Sequence, residues 1–149
     1  MAIGEAVARG LAAGAIGTVA LTVAEKAEMR LTGRPASTVP GQVAAKLSGR
    51  DPDKEPDAVR RLNAITHWAH GIAMGAVRGL IDVAGLRPVA ASVVFYGVLW
   101  GGDAMLYRAL GLAPEPWRWQ RRELLTDLYG KGVLAFATSG AYIALDRSV

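Results

Sequence analysis

Four long runs of uncharged residues limit what this chain can fold into more than any other feature. They cover residues 10–24, 62–77, 88–102 and 132–145, and each is bounded by Arg, Lys, Asp or Glu. A spanning helix needs about 20 apolar residues, so each run is short by about a turn. Flanking basic side chains lengthen such helices by burying their stems and keeping their charged ends at the interface; the candidates here are Arg9, Lys26, Arg61, Arg78 and Lys131.

The runs predict an all-α fold, a bundle of four transmembrane helices at about residues 6–28, 60–82, 88–108 and 124–145, in a single domain over residues 1–149. The alternative is a soluble four-helix bundle with unusually apolar helices. A water-facing helix has a polar stripe, whereas run 10–24 offers only Thr18 and Thr22, and run 88–102 only Ser92 and Tyr96. The pattern therefore favours a lipid bilayer, as do an apolar fraction of 52% and a positive mean hydropathy.

The connection between the first two long helices predicts one further element. Gly33 suits the end of the first helix and Pro40 suits the start of another. Val39, Val43 and Leu47 recur every four residues, which is typical of one apolar helix face. We expect a short amphipathic helix here, lying along the lipid headgroups.

Basic residues are distributed unevenly over the predicted connections. They concentrate after the first and third long helices, while the opposite side holds only Arg9, Arg78, Arg87 and Arg147. By the positive-inside rule, the two basic connections are cytoplasmic and both termini face outward. Acidic residues are interleaved with the basic ones, so the charge pattern indicates membrane topology and not nucleic-acid binding.

Glycines recur every four residues along three of the predicted spans, in the manner of a glycine zipper. The candidate packing residues are Gly10, Gly14, Gly17, Gly71, Gly75, Gly79, Gly97 and Gly101. Small residues at this spacing let helix backbones approach closely in membranes. The contacts could lie within one chain or between two copies, so a homodimer or other homo-oligomer is one alternative.

Ionisable residues gather toward the predicted cytoplasmic ends of the helices. They are Glu25, Glu28, His67, His70, Asp103, Glu123, Asp127 and Lys131. Ionisable groups at membrane depth usually face the bundle interior and find partners there, so these faces are predicted to meet in one polar layer. The first interpretation is structural: Asp127 pairs with Lys131, and the histidines bond to Glu25 or Asp103.

Two other interpretations give the polar layer a chemical role. His67 and His70 lie on one helix turn and could bind a divalent metal with carboxylates of facing helices, although no Glu-x-x-His motif occurs. Histidine and carboxylates could instead relay protons in a transporter or channel that acts as a homo-oligomer. Small multidrug transporters place their essential carboxylate well inside the first span, whereas Glu25 lies at its end.

Catalytic motifs are absent from the sequence. No nucleophile elbow, phosphate-binding glycine loop or dinucleotide fingerprint occurs, and without cysteine there is no disulfide or thiolate site. We therefore expect a non-enzymatic scaffold or accessory protein. No cofactor is expected apart from the metal alternative, and the lipid bilayer is the expected partner.

Several segments carry a family resemblance. They are residues 10–18 (GLAAGAIGT), 31–35 (LTGRP), 67–71 (HWAHG) and 122–130 (RELLTDLYG). In these segments the chain resembles small four-helix integral membrane proteins of high-GC bacteria, distantly similar to the YagU-like inner-membrane group. The resemblance implies a helical bundle in the bacterial inner membrane, and it implies no reaction or catalytic residue.

Overall fold

The computed structural model describes residues 2–146, and over that range the chain is helical with no strand, which confirms the all-α prediction. Arg147, which entered the orientation argument, lies outside the described residues. The elements in chain order are α1 (Ile3–Thr32), α2 (Val39–Leu47), α3 (Pro56–Val83), α4 (Pro88–Ala109), a single 3-10 turn (Pro116–Arg118) and α5 (Arg121–Asp146).

Turns between the helices are made by glycines in the left-handed conformation. Gly33, which follows α1, has φ 68°, and its N–H bonds to the carbonyl of Met29. Gly85 has φ 73° between α3 and α4, and Gly111 has φ 69° after α4. Glycine takes this conformation without the steric cost that a β-carbon imposes, so all three positions suit a helix end, as the sequence predicts for Gly33.

The tightest seam in the molecule joins α1 to α3. A β-carbon built on Gly10 would lie 2.3 Å from the carbonyl oxygen of Gly75, and one built on Gly75 would lie 2.1 Å from that of Gly10. Gly14 faces Gly71 in the same way, at 2.7 Å. The two backbones therefore touch directly, which is possible only because neither helix has side chains there.

The predicted packing role of Gly97 and Gly101 is wrong within this chain, because a β-carbon at either position would meet nothing within 4 Å. Helical geometry explains the difference. Phe95 and Leu99 on the same helix are fully buried in the core where α4 packs against α3 and α5. Gly97 lies two residues from each, about 200° around the helix. The α4 glycines therefore face outward.

The predicted short helix is present as α2, and it packs against α3. Gly41, Val43 and Ala45 are buried there, and a β-carbon on Gly41 would be 2.2 Å from the carbonyl oxygen of Val59. Of the predicted apolar face, Val43 is buried, Val39 is half-buried and Leu47 is 66% exposed. The contact with α3 forms because Gly41 lets the α2 backbone pack directly on that helix. The predicted position of α2 along the headgroups stays a prediction.

Two helices among the described residues, α1 and α4, are long and apolar enough to cross a membrane. The prediction of four spans is thus met by only two helices on length and composition. The others carry charged residues within their apolar stretches, Arg78 in α3 and Asp127 and Lys131 in α5. Each such residue lowers the mean hydropathy of its helix, whichever way its side chain points.

Alanine substitutions test whether glycines between α1 and α3 are packed while glycines on the outward face of α4 are not. We expect Gly75→Ala to lower the free energy of unfolding by roughly 1–3 kcal/mol, because the added carbon overlaps the Gly10 carbonyl. The matched control Gly97→Ala should be neutral or stabilising by up to about 1 kcal/mol through helix propensity. Unfolding followed by circular dichroism measures both, and equal destabilisation would contradict the assignment.

Candidate functional site

A groove of about 1070 Å³ opens between α1, α3, α4 and α5, at the end of the bundle where α1 runs into α2 and α4 runs into α5. Seven of the eight predicted polar residues line it: Glu25, His67, His70, Asp103, Glu123, Asp127 and Lys131. We call this space the polar groove. Spacing along each helix places these side chains on inward faces, and antiparallel packing then brings the four faces to the same end.

Three charged or titratable side chains form the inner wall of the polar groove. His70 Nε2 of α3 lies 3.1 Å from Asp103 Oδ2 of α4, and the Lys131 ammonium of α5 contacts the same oxygen. Lys131 also donates a hydrogen bond to the Tyr107 hydroxyl at 3.1 Å. The side chains of Lys131 and Asp103 are only 13% and 8% exposed. This triad therefore joins three helices through an ion pair largely removed from solvent.

The partner of Lys131 differs from the predicted one. Lys131 pairs with Asp103 and makes no ion pair with Asp127, although Asp127 lies one helical turn away on the same face. Asp127 Oδ2 and Nε1 of Trp100 are both buried, and neither meets hydrogen-bond geometry with any of residues 2–146, but the two groups are neighbours and the indole N–H acts electrostatically on the carboxylate. Tertiary packing decided this choice, because α4 brings the Asp103 carboxylate to the end of the lysine side chain.

The remaining predicted residues lie around the rim or outside the groove. His67 Nε2 is 3.1 Å from Thr22 Oγ1, so this histidine bonds to a hydroxyl and not to Glu25 or Asp103. Glu123 Oε2 accepts the backbone N–H of Gln120 at 3.3 Å. Glu28 does not line the groove, and it pairs with Arg34 at 2.8 Å.

The connection that holds α2 forms one side of the rim. Asn63 Oδ1 accepts the N–H of Gly41 at 2.9 Å, and Asn63 Nδ2 donates to the carbonyl of Ser37 at 3.0 Å. One amide side chain on α3 thus fixes both the start of α2 and the segment before it. Ser37, Val39 and Asn63 itself all line the polar groove, so these two hydrogen bonds position one side of its entrance.

The connection between α4 and α5 forms the other side of the rim. Glu115 pairs with Arg108 at 3.2 Å and with Arg118 at 3.5 Å. Its own backbone N–H, followed by these two guanidinium groups, lowers the pKa of the Glu115 carboxyl. Trp119 Nε1 donates to the Pro114 carbonyl at 2.7 Å. Local bonds therefore hold the Trp119 ring beside the groove.

A second charged cluster, at the opposite end of the bundle, was not anticipated from the sequence. Arg78 was expected to reach the interface, yet its side chain is fully buried. Its guanidinium lies 4.7 Å from the centre of the Tyr142 ring, and its Nε donates to Ser139 Oγ at 3.2 Å. Arg9 bonds to Asp146 across the same end. The available signal was the i, i+4 spacing of Arg78 and Asp82 within an apolar helix.

Metal binding finds no support in this arrangement. Within the part of the chain that the structure describes, no group of three or more His, Asp or Glu side chains converges closely enough to hold a metal ion. Asp103 is occupied by Lys131, whose positive charge would repel a metal cation at the same oxygen. His67 and His70 have separate partners, Thr22 and Asp103.

Comparisons with known proteins add no identification. The chain matches no protein-family model, no curated protein and no solved structure. The resemblance to YagU-like membrane proteins therefore stays a prediction, and the chemistry of the polar groove is the basis for any functional conclusion.

Removal of the Asp103 charge tests whether Asp103 and Lys131 form a buried ion pair. Because Asp103→Asn leaves Lys131 buried without a counter-ion, it should cost roughly 3–5 kcal/mol of stability. The double variant Asp103→Leu with Lys131→Met removes both charges and should recover most of that loss. Chemical unfolding measures all three proteins. Lys54→Ala is the control, since its pair with Asp51 is exposed and should contribute less than about 1 kcal/mol. A full loss retained in the double variant would contradict the pairing.

Proposed function

We propose that this protein is a non-enzymatic accessory protein of a lipid bilayer that binds a small amphipathic molecule in the polar groove. The observation that carries the proposal is a groove of about 1070 Å³ whose wall combines a buried ion network with apolar and aromatic side chains. Ligand sites in proteins are typically concave and largely apolar, with a few convergent polar groups.

The outward faces of the four long helices support the membrane part of the proposal. Over residues 10–24, 62–80, 88–105 and 124–144, every exposed residue is uncharged, and almost all of them are Ala, Gly, Val, Leu or Ile or are aromatic. Large exposed apolar side chains occur on each helix, for example Ile16, Ile65, Val93 and Phe136. A surface of this kind is costly in water and suits hydrocarbon.

The bundle interior also supports the proposal that the long helices lie in a membrane. Its buried residues include Thr18, Arg78, Asp103, Thr138 and Ser139. Charged groups inside, beside an apolar core, combined with an apolar outer surface differ from the usual soluble arrangement, in which charged groups lie outside. Inward charges also account for the failure of α3 and α5 to reach the hydropathy of a membrane span, so we propose that all four long helices are embedded.

We place the polar groove at the cytoplasmic side of the bacterial inner membrane, with both termini outward. Both basic connections emerge at the groove end, which agrees with the positive-inside rule. A molecule that collects at the membrane surface would meet the groove directly. Trp117, 78% exposed beside the entrance, suits the headgroup region.

Cysteine labelling tests the membrane topology, because the chain contains no native cysteine. Arg87→Cys lies in the α3–α4 turn and Ser37→Cys lies beside the groove. In intact cells, a membrane-impermeant maleimide should label position 87, while position 37 should react only after permeabilisation. Equal labelling at both positions would contradict the topology, and a protein that stays monodisperse without detergent would contradict embedding.

Filling the groove tests ligand binding. Ala64 and Ala69 are both exposed alanines on α3, and only Ala64 lines the polar groove. We expect Ala64→Trp to weaken the binding of small amphipathic probes by about tenfold or more, because the indole occupies their space, while Ala69→Trp leaves binding unchanged. Calorimetric titration of the protein in nanodiscs measures both, and equal affinities would contradict binding in the groove.

A second candidate function is proton-coupled transport by a homo-oligomer. It is favoured by the chain of titratable groups from His70 through Asp103 and Lys131 to Tyr107, which connects three helices along one groove. Beyond this chain lies the apolar cluster of Leu21, Phe95, Leu99 and Leu134. Transport by one chain would therefore require that these helices separate, or that a second copy complete a path.

Proton flux distinguishes the two candidates. In vesicles that contain the protein and a pH-sensitive dye, a transporter should dissipate an imposed pH gradient, and His70→Ala should abolish the flux by breaking the relay at Asp103. Leu80→Ala, on the outward face of α3, is the control. If the unmodified protein gives no flux above empty vesicles, with or without the amphipathic probes, the transport candidate fails.

A further inference from the structure

The charges along the polar groove are unequally satisfied. Three of its basic side chains already have carboxylate partners: Lys131 with Asp103, Arg34 with Glu28 and Arg118 with Glu115. The other two, Lys26 and Arg122, are exposed at the rim, where water solvates them. The cations of the groove therefore have little to gain from a bound anion.

Asp127 is the exception among the inner groups. Asp127 lines the groove and forms no ion pair with residues 2–146, because the neighbouring lysine is committed to Asp103 and Tyr107. Its Oδ2 atom is closed off from the groove beside the uncharged indole N–H of Trp100, which leaves Oδ1 as the oxygen available to a ligand. The carboxylate thus lacks a positively charged partner, and a positively charged donor satisfies a carboxylate best.

The surroundings of Asp127 define the rest of the ligand. Leu106 and Leu112 supply apolar surface in the groove, and Trp68, Tyr107 and Trp119 supply aromatic rings. Aromatic faces attract cations, and apolar walls bind hydrocarbon. A small molecule with an ammonium group on an apolar body matches both features.

We propose that the ligand of the polar groove is a hydrophobic primary or secondary amine in its ammonium form, whose N–H donates a hydrogen bond to the Asp127 carboxylate. This inference rests on the proposed ligand-binding function and adds the chemical class of the ligand. Asp103 takes no direct part, because Lys131 and His70 occupy it.

Three matched probes test the proposal on the full chain in lipid nanodiscs, with empty nanodiscs subtracted. They are 2-phenylethylamine, 2-phenylethanol and 3-phenylpropionate, which share an aromatic body and differ in charge. By calorimetry at neutral pH, the amine should bind at least about tenfold more tightly than the alcohol, and the carboxylate should bind most weakly. The result that overturns the proposal is an amine affinity equal to that of the alcohol.

Two variants locate the effect. Asp127→Asn keeps the shape of the side chain and removes its charge, so it should abolish the preference for the amine while the alcohol binds as before. Asp53→Asn is the matched control, the same change at an exposed carboxylate outside the groove, and it should leave the amine affinity unchanged. Retention of the preference in Asp127→Asn would overturn the assignment to Asp127.

A further probe avoids any dependence on the folding of a variant. N,N,N-trimethyl-2-phenylethylammonium keeps the positive charge and has no N–H, so the unmodified protein should bind it about tenfold more weakly than 2-phenylethylamine. Equal affinity would overturn the hydrogen bond to Asp127. If the alcohol binds without any preference for the amine, only the ligand class is wrong, and if none of the probes binds, the proposed function is wrong as well.

Discussion

Direct backbone contact between α1 and α3 is the constraint on which the rest of the structure depends. Gly10, Gly14, Gly71 and Gly75 carry no β-carbon at this seam, so the two backbones approach directly and the Thr18 side chain fills the space at Gly71. Close approach gives dispersion contacts that do not require water, so such a seam holds equally in lipid. With α1 and α3 fixed, α4 and α5 pack on the remaining face and the polar groove forms where the four helices diverge.

Contacts between charged side chains then join the helices at both ends of the bundle. At the groove end, His70, Asp103 and Lys131 join α3, α4 and α5, and at the opposite end Arg78 lies over Tyr142. Breaking a buried pair is costly because the remaining charge is stranded, so these contacts specify one arrangement of the helices. At the groove end, Asp127 is the inner carboxylate that no ion pair neutralises among residues 2–146.

Much of the candidate site was predictable, because helical periodicity alone places Glu25, His67, His70, Asp103 and Asp127 on inward faces toward one end. Which of these groups form ion pairs was not predictable from the sequence. The Lys131 side chain could reach either Asp103 or Asp127, and the distance between α4 and α5 determines that it pairs with Asp103. Tyr107 and Trp100 were missed for a similar reason, since an aromatic residue near a helix end fits an interfacial position as well as an interior one.

The sequence by itself determined the helices, since uncharged runs, prolines and left-handed glycines such as Gly33 and Gly111 are local features with local causes. It also marked which residues are ionisable and at which end they lie. Tertiary structure alone decided that Gly75 is packed while Gly97 is open, that Arg78 turns inward, and that α2 rests on α3. These outcomes depend on how each helix is rotated about its axis, and rotation is set by the neighbouring helices, which no local pattern contains.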